Sequence, residues 1–296
     1  MTPPTTPQRI AARHADIGGG VTIRRVLPTR GRRHIGAWCF LDHAGPTTFE
    51  SGGGMQVGPH PHIGLQTFTW MLEGEVEHRD SLGTIQTIRP GEVNLMTAGR
   101  GISHTEYSQD TSRVLHAAQL WIALPPSHTD CDPAFDHYPQ LPRWQAGDSD
   151  VCCTLLAGHY DGRQAPTRLY SPLMALDLAS ALGATVEQAV RTDFEYGVLV
   201  LTGHAIVNGV SFDADELAYL EQGAASLTIR LSAGCRVLLL GGAPTEHDIV
   251  MWWNFVGVTR DQVVQAQRDW EAGHARFGQV EGCTAAPLVA PPLPWV

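Results

Sequence analysis

The chain has 296 residues (32.1 kDa), 43% hydrophobic and 17% charged, with 31 Gly and 20 Pro, a composition that excludes a disordered polymer or a coiled coil and suits turn-rich β structure. Its formal net charge of -10 and pI of about 5.7 set the whole molecule against a phosphate backbone, so direct nucleic-acid binding is disfavoured. The length exceeds the usual single domain, so two cores are expected.

Met1 to Pro7 holds no apolar signal region, and nowhere do eighteen uninterrupted apolar residues occur. A cytoplasmic protein without a membrane segment is the resulting expectation. Residues 1–18 are polar and Pro-rich, run into Gly18-Gly19-Gly20, and read as a flexible leader. A first strand is predicted over Val21–Leu27 and a second over Ile35–Leu41, followed by a loop at Asp42-His43-Ala44-Gly45-Pro46. Asp42 and His43 are either turn residues or groups lining a nearby site. Arg24, Arg25, Arg30, Arg32 and Arg33 form a basic cluster, which reads as a solvated or ion-paired face or as a meeting place for an acidic partner.

Between residues 60 and 124 short strands alternate with turns: Gln66–Leu72, Glu75–Arg79, Thr84–Ile88, Glu92–Met96, His104–Tyr107 and Leu115–Leu124. That spacing belongs to an antiparallel barrel or sandwich. Pro125 to Asp150 shows no period and reads as an irregular crossing. The β pattern then restarts, from Cys153–Leu156 to Arg236–Leu240. An internal repeat is visible where Trp70-Met71-Leu72-Glu73-Gly74 aligns with Leu199-Val200-Leu201-Thr202-Gly203. On that alignment His60 and His62 fall on Ala189 and Arg191; setting Gly99 on Gly223 puts His104 and Glu106 on Thr228 and Arg230. The second unit thus has the fold without the ligands. Thr259 with Gln262 makes a capping box, and Val263, Ala266, Trp270 and Phe277 recur at helical spacing, which predicts a C-terminal amphipathic helix. The domain plan is therefore a leader (1–18), a first β domain (19–135), a second without metal ligands (136–258), a helix (259–280) and a Pro-rich tail (281–296). Six scattered cysteines with no C-x-x-C pair read as buried, reduced thiols.

Two triplets carry chemistry. In His60-Pro61-His62 and His104-Thr105-Glu106 the outer residues stand at i and i+2, on one face of a strand, so two neighbouring strands could close a four-ligand cage. Three imidazoles and a carboxylate suit a divalent transition ion better than magnesium or calcium. A core in which four such groups merely satisfy each other is the alternative, and burying them without an ion would be costly.

Gly54 with His60 and His62 meets the cupin pattern G-x5-H-x-H, and Gly101 with His104 a second cupin element. Beyond this, His60-Pro61-His62-Ile63-Gly64, the stretch Leu72–Gly83, Arg89-Pro90-Gly91, Met96–Glu106, Gln119-Leu120-Trp121-Ile122 and Gly241-Gly242-Ala243-Pro244 resemble the pirin family over most of residues 20–280. The resemblance implies an all-β fold of two cupin (double-stranded β-helix, jelly-roll) barrels in tandem with a C-terminal α-helix. It also implies one non-haem metal per chain, usually iron(II), held by His60, His62, His104 and Glu106. Ligand chemistry alone would also admit Cu, Ni, Co, Mn or Zn, and the Irving–Williams order favours copper or zinc over iron in a test tube. One departure stands at Gln66, where many pirins carry Glu; Gln66 could hydrogen-bond around the metal but is no base, which leaves Glu106 as the catalytic carboxylate.

Pirins are described both as quercetin 2,3-dioxygenases and as transcription co-regulators that respond to iron oxidation state. On the first reading a small flavonol-like enol is oxygenated with release of carbon monoxide, with Trp38, Phe40, Phe68 and Trp70 available either as site walls or as plain core. On the second, a protein partner is bound with no direct contact to nucleic acid.

Overall fold

The structure, a computed structural model, describes residues 6–16, 21–109 and 113–295. Of the expected leader (1–18), Met1–Thr5, Ile17 and Gly18 lie outside the described residues, as do Gly19 and Gly20 after it. The chain divides into two compact units. Unit I is Met1–His14, Arg24–His43 and Gln140–Thr245; unit II is Ala15–Ile23, Ala44–Pro139 and Glu246–Val296. Two cupin barrels and one C-terminal α-helix make up the fold, as the resemblance implies.

In unit II, the strands Gln56–His62, Ile102–Ser108, Val76–Asp80 and Ile85–Ile88 form a four-stranded antiparallel sheet in that order. Ala134–Tyr138, Val93–Thr97, Leu65–Glu73 and Val114–Ala123 run side by side at one end of a seven-stranded sheet. The predicted strands from 66 to 124 are all present, shifted by one or two residues. Most are bounded by Gly or Pro at the turns, which is why their boundaries could be read. The stretch after Pro125 is more regular than its composition suggests: Ala134–Tyr138 extends the sheet through register with Val93–Thr97.

Unit I repeats the plan. Its seven-stranded sheet runs Gln8–Ala11, Glu216–Leu220, Glu195–Thr202, Cys235–Gly242, Leu173–Ser180, Cys152–Ala157 and Arg143–Gln145. Its four-stranded sheet runs Ala184–Ala189, Ser226–Leu231, His204–Val207 and Val210–Asp213. The core between them is apolar, with Leu176, Tyr196, Val198, Phe212, Leu227 and Ile229 fully buried; each such side chain stabilises the fold by about 1.5–3 kcal/mol.

Part of the expected leader is therefore a strand. Gln8–Ala11 pairs antiparallel with Glu216–Tyr219, buries Ile10, and lays Arg9 against Glu216 and 4.7 Å over the Phe212 ring. Its partners lie far along the chain, and no local pattern announces them. Asp42 and His43 also differ from expectation, because one continuous strand, Trp38–Thr48, replaces the predicted loop. Asp42 accepts two hydrogen bonds from Arg25 at 2.8 Å, and His43 Nδ1 lies 2.6 Å from Asp215. With Arg24 also paired to Asp215 and Arg32 stacked 3.6 Å over Tyr219, three arginines of the basic cluster are engaged, while Arg30 and Arg33 remain exposed. Of the cysteines, Cys39, Cys153 and Cys235 are buried, Cys131 and Cys283 half-buried, and Cys152 exposed, so the expectation of burial holds only in part.

The helix, Arg260–Glu271, starts at the Thr259/Gln262 capping box and buries Val263 and Ala266. It stops before Phe277, which instead closes the short 3-10 turn Ala275–Phe277 after Gly273. Helix and turn pack in unit II around Ile63 and Phe255. The final stretch is tied down as well: Leu288 N donates to Pro59 O, Trp270 Nε1 to Leu288 O, and Gln267 Nε2 to Pro291 O.

Candidate metal centre

The two triplets meet on adjacent antiparallel strands of unit II. His104 stands directly opposite His60, and Ile102 opposite His62. Paired residues share a face, so the three imidazoles point the same way. Their potential ligand atoms lie within 4.8 Å of one another, and all three side chains are buried. Among the described residues this is the only such group of three or more His, Cys, Asp or Glu.

Each ring has its Nδ1 side occupied. His60 Nδ1 is 2.9 Å from Gly58 O, His62 Nδ1 is 3.0 Å from Asn254 O, and His104 Nδ1 is 3.2 Å from His78 Nδ1. A carbonyl only accepts, so His60 and His62 carry their hydrogens on Nδ1 and present bare Nε2 atoms inward. His62 Nε2 and His104 Nε2 are 3.1 Å apart. Burial drives the His60 pKa down to about 4 and those of His62 and His104 well below the ordinary imidazole value, with the neighbouring histidines adding to the effect. Neutral imidazoles whose Nε2 atoms converge are the donor set a transition ion requires.

The carbonyl that holds His62 comes from a hairpin, Val250–Trp252 with Phe255–Gly257, whose turn places Trp253 at φ 50°. This hairpin docks where Val256 N donates to Ile63 O, beside Gly64. Gly64 has φ +65°, and a Cβ there would sit 2.1 Å from Val256 O. A Gly64→Ala chain should therefore lose about 1–3 kcal/mol from the left-handed backbone alone. It should also bind metal more weakly, because the hairpin must retreat and take Asn254 with it. Denaturant unfolding and a metal titration check this; an unchanged unfolding midpoint would contradict it.

Glu106 stands outside the group of three. A bulge breaks the register after His104, so Glu106 pairs with Val57 on one side and faces His78 on the other. Burial raises its carboxyl above the usual range, with His78 working in the opposite direction. His78 and Asp80, at the same i, i+2 spacing, lie across from Glu106 and His104 on the Val76–Asp80 strand. The sequence reading passed over this pair, although its spacing is that of the two triplets.

The aromatic neighbours of the cluster are Trp121 and Phe135, and the four aromatics weighed as site walls or core prove to be core. Trp121 meets the His62 ring edge-on at 5.2 Å, and Phe135 stacks on His78 at 4.4 Å. Trp121 pairs with Thr67, so Thr67 and Thr69 share its face, whereas Gln66, Phe68 and Trp70 alternate to the opposite face of the sheet. Gln66 instead donates to Thr97 at 3.0 Å. Phe68 and Trp70 are fully buried core, and Trp38 and Phe40 belong to unit I, where Arg25 lies 4.5 Å over Phe40. The face toward the histidines also carries polar pairs, Thr69 with Gln119 and Asn94 with His137, both at 2.7 Å.

Among the described residues, unit I has no equivalent cluster. Glu106 faces His78 and Ser108 faces Val76 in unit II; the same register in unit I is Ile229 to Val207 and Leu231 to Ala205. Leu227, which pairs with Gln188, then stands where His104 does. The alignment that placed Thr228 and Arg230 at these positions is thus one residue out of phase. Those two side chains are exposed, and the inward ones are apolar.

Comparison with known proteins gives matches over both halves. Residues 20–122 match the family model described as Pirin, and residues 175–278 that described as Pirin C-terminal cupin domain. A Pseudomonas aeruginosa protein named "Putative quercetin 2,3-dioxygenase" is 58% identical over 288 residues, covering 97% of this chain and 91% of its own. A crystal structure described as quercetin 2,3-dioxygenase from Acinetobacter baumannii superposes with a TM-score of 0.95 at 48% identity, covering 98% of this chain and 97% of that one. The bacterial pirin YhhW of Escherichia coli, solved in complex with nickel(II), shares the fold with a TM-score of 0.65 at 20% identity, covering 80% of this chain and 99% of that one.

Proposed function

This chain belongs to the pirin family, and from that premise we propose that it is a metal-dependent dioxygenase acting on small flavonol-type substrates. The observation that carries the reading is the convergence of three buried imidazoles with their Nδ1 sides engaged. His60, His62 and His104 would hold one divalent transition ion, with Glu106 as the fourth ligand. Iron(II) is the family's choice. A bound ion supplies Lewis-acid activation of an enol oxygen.

The residues of the chain do the remainder. Glu106, whose carboxyl is raised by burial, is a stronger base than a solvated carboxylate and takes the enol proton. Trp121 offers an aromatic edge beside His62, and the Thr69–Gln119 and Asn94–His137 pairs offer hydrogen-bonding groups to a hydroxylated planar ligand. The buried strands around the histidines keep bulk water from the reacting atoms.

Iron-loaded protein mixed with quercetin under oxygen should bleach the flavonol absorbance with release of carbon monoxide, and a chain with both His60→Ala and His62→Ala should not. Equal rates for the two would sink the dioxygenase reading. The second reading, a non-enzymatic iron-dependent redox sensor or co-regulator acting on a protein partner, draws on the exposed Arg30 and Arg33. It would be favoured by partner capture that tracks the oxidation state of the metal in protein lacking turnover.

A further inference from the structure

We propose that His78 and Asp80 act as a positioning pair that fixes the tautomer of His104, so that its Nε2 faces the metal; this rests on the metal-centre reading above. His60 and His62 each find a backbone carbonyl for Nδ1. His104 stands on a strand that is hydrogen-bonded to a neighbour on both sides, and its Nδ1 faces His78 Nδ1, not a carbonyl. A side chain takes that role instead.

The hydrogen-bond direction follows from Asp80. Its Oδ1 accepts from Leu82 N at 2.9 Å and Thr84 N at 3.1 Å, so the turn after the strand clamps the carboxylate. Its Oδ2 is left 3.0 Å from His78 Nε2. A carboxylate only accepts, which puts a hydrogen on His78 Nε2. When that is the only hydrogen on the ring, His78 Nδ1 holds a lone pair and faces His104 Nδ1 at 3.2 Å. The hydrogen between them then belongs to His104 Nδ1, and the His104 lone pair lies on Nε2, beside His62 Nε2. The His78 ring cannot swing out of this chain, since it is 4% exposed and stacked on Phe135 at an interplanar angle of 24°. Outer partners of this kind set which imidazole nitrogen is offered to a metal.

Asp80→Asn is the decisive variant, because it keeps the shape and reverses the polarity. The amide oxygen can still accept from Leu82 N and Thr84 N, but the amide nitrogen must then face His78 Nε2 and donate to it. That forces the hydrogen of His78 onto Nδ1, against the hydrogen of His104 Nδ1. The probe is zinc(II), titrated into metal-stripped full-length protein against a chromophoric chelator. Asp80→Asn and His78→Leu should each weaken zinc binding by about 10–100-fold. His78→Asn should stay near wild type, since its Oδ1 sits where Nδ1 was and accepts from His104 without help from residue 80. For the same reason, adding His78→Asn to Asp80→Asn should restore affinity, a rescue that a merely structural role for Asp80 would not show. In ¹⁵N spectra of the zinc form, the Nδ1–H signal of His104 should be present in wild type and in the rescued chain.

Wild-type affinity in Asp80→Asn, or no rescue in the double variant, would overturn the pair while leaving the metal centre standing. Undiminished zinc binding by the His60→Ala, His62→Ala chain would overturn the metal centre and the pair together.

Discussion

A chain carrying both His60→Ala and His62→Ala is expected to lose metal affinity by about four to six orders of magnitude while its metal-free fold survives. Apparent binding free energies for fully ligated zinc are about 10–16 kcal/mol, and removing two of four ligands forfeits roughly half of that, at about 1.4 kcal/mol per factor of ten. The fold should survive because the strand is held by its backbone. The register His104 to His60, Ser103 to Pro61 and Ile102 to His62 uses main-chain groups only. Two alanines also relieve the crowding of bare imidazole nitrogens, of which the closest pair is 3.1 Å apart. Elemental analysis should find about one metal per wild-type chain and essentially none in the variant, with metal-free thermal midpoints within a few degrees of each other. Two equivalents in wild type would point to a second site and contradict the apolar Leu227 and Ile229 in unit I.

Metal-free protein is expected to lose several kcal/mol of stability as the pH falls from about 6.5 towards 4. In the unfolded chain the three imidazoles titrate near 6.5. In the folded chain burial pushes His60 to about 4, and His62 and His104 also well below 6.5. Below pH 6.5 the unfolded state therefore binds more protons, and stability falls by about 1.4 kcal/mol per pH unit for each group until its folded pKa is reached. Above pH 6.5 these groups contribute no slope. Glu106 and Asp42 act in the opposite sense: their carboxyls are raised, chiefly by burial, so the folded state takes up protons before the unfolded one and regains some stability on acidification. Two carboxyls against three imidazoles leave a net loss. Urea unfolding at pH 7.0 and 4.5 measures it, and the His60→Ala, His62→Ala chain should show a flatter profile. Parallel profiles for the two chains would show that the buried imidazoles are not the cause.

Much of this was legible in the sequence because the signals were local. The two triplets declare a shared strand face through their spacing, and the Thr259/Gln262 box declares the start of the helix. Facing was harder. Residues Leu65 to Leu72 are buried on both sides of their sheet, so alternation of polarity gives no clue to which face meets the histidines. Phe68 and Trp70 could consequently be read as site walls or as plain core, and the pairing of Trp121 with Thr67 decides for core and also turns Gln66 away. His78 and Asp80 were hidden differently: their importance depends on a strand pairing that lines them up with Glu106 and His104, and nothing in Glu77-His78-Arg79-Asp80 itself specifies that partner. The strand Gln8–Ala11 was not legible at all, since the partner that orders it is separated from it by most of the chain.

The carbonyl of Asn254 that holds His62 has a bearing on how this protein is made. Of the contacts that set the three imidazoles, those from Gly58 and His78 are local to the first half of the chain, but that from Asn254 is 192 residues downstream of its imidazole. Leu288, which clips Pro59 beside His60, emerges later still. A ribosome thus releases the histidines long before it releases the hairpin and tail that finish their surroundings. The three imidazoles reach their final geometry only after synthesis is nearly complete, and a prematurely terminated product would carry every imidazole while lacking the frame that aims them.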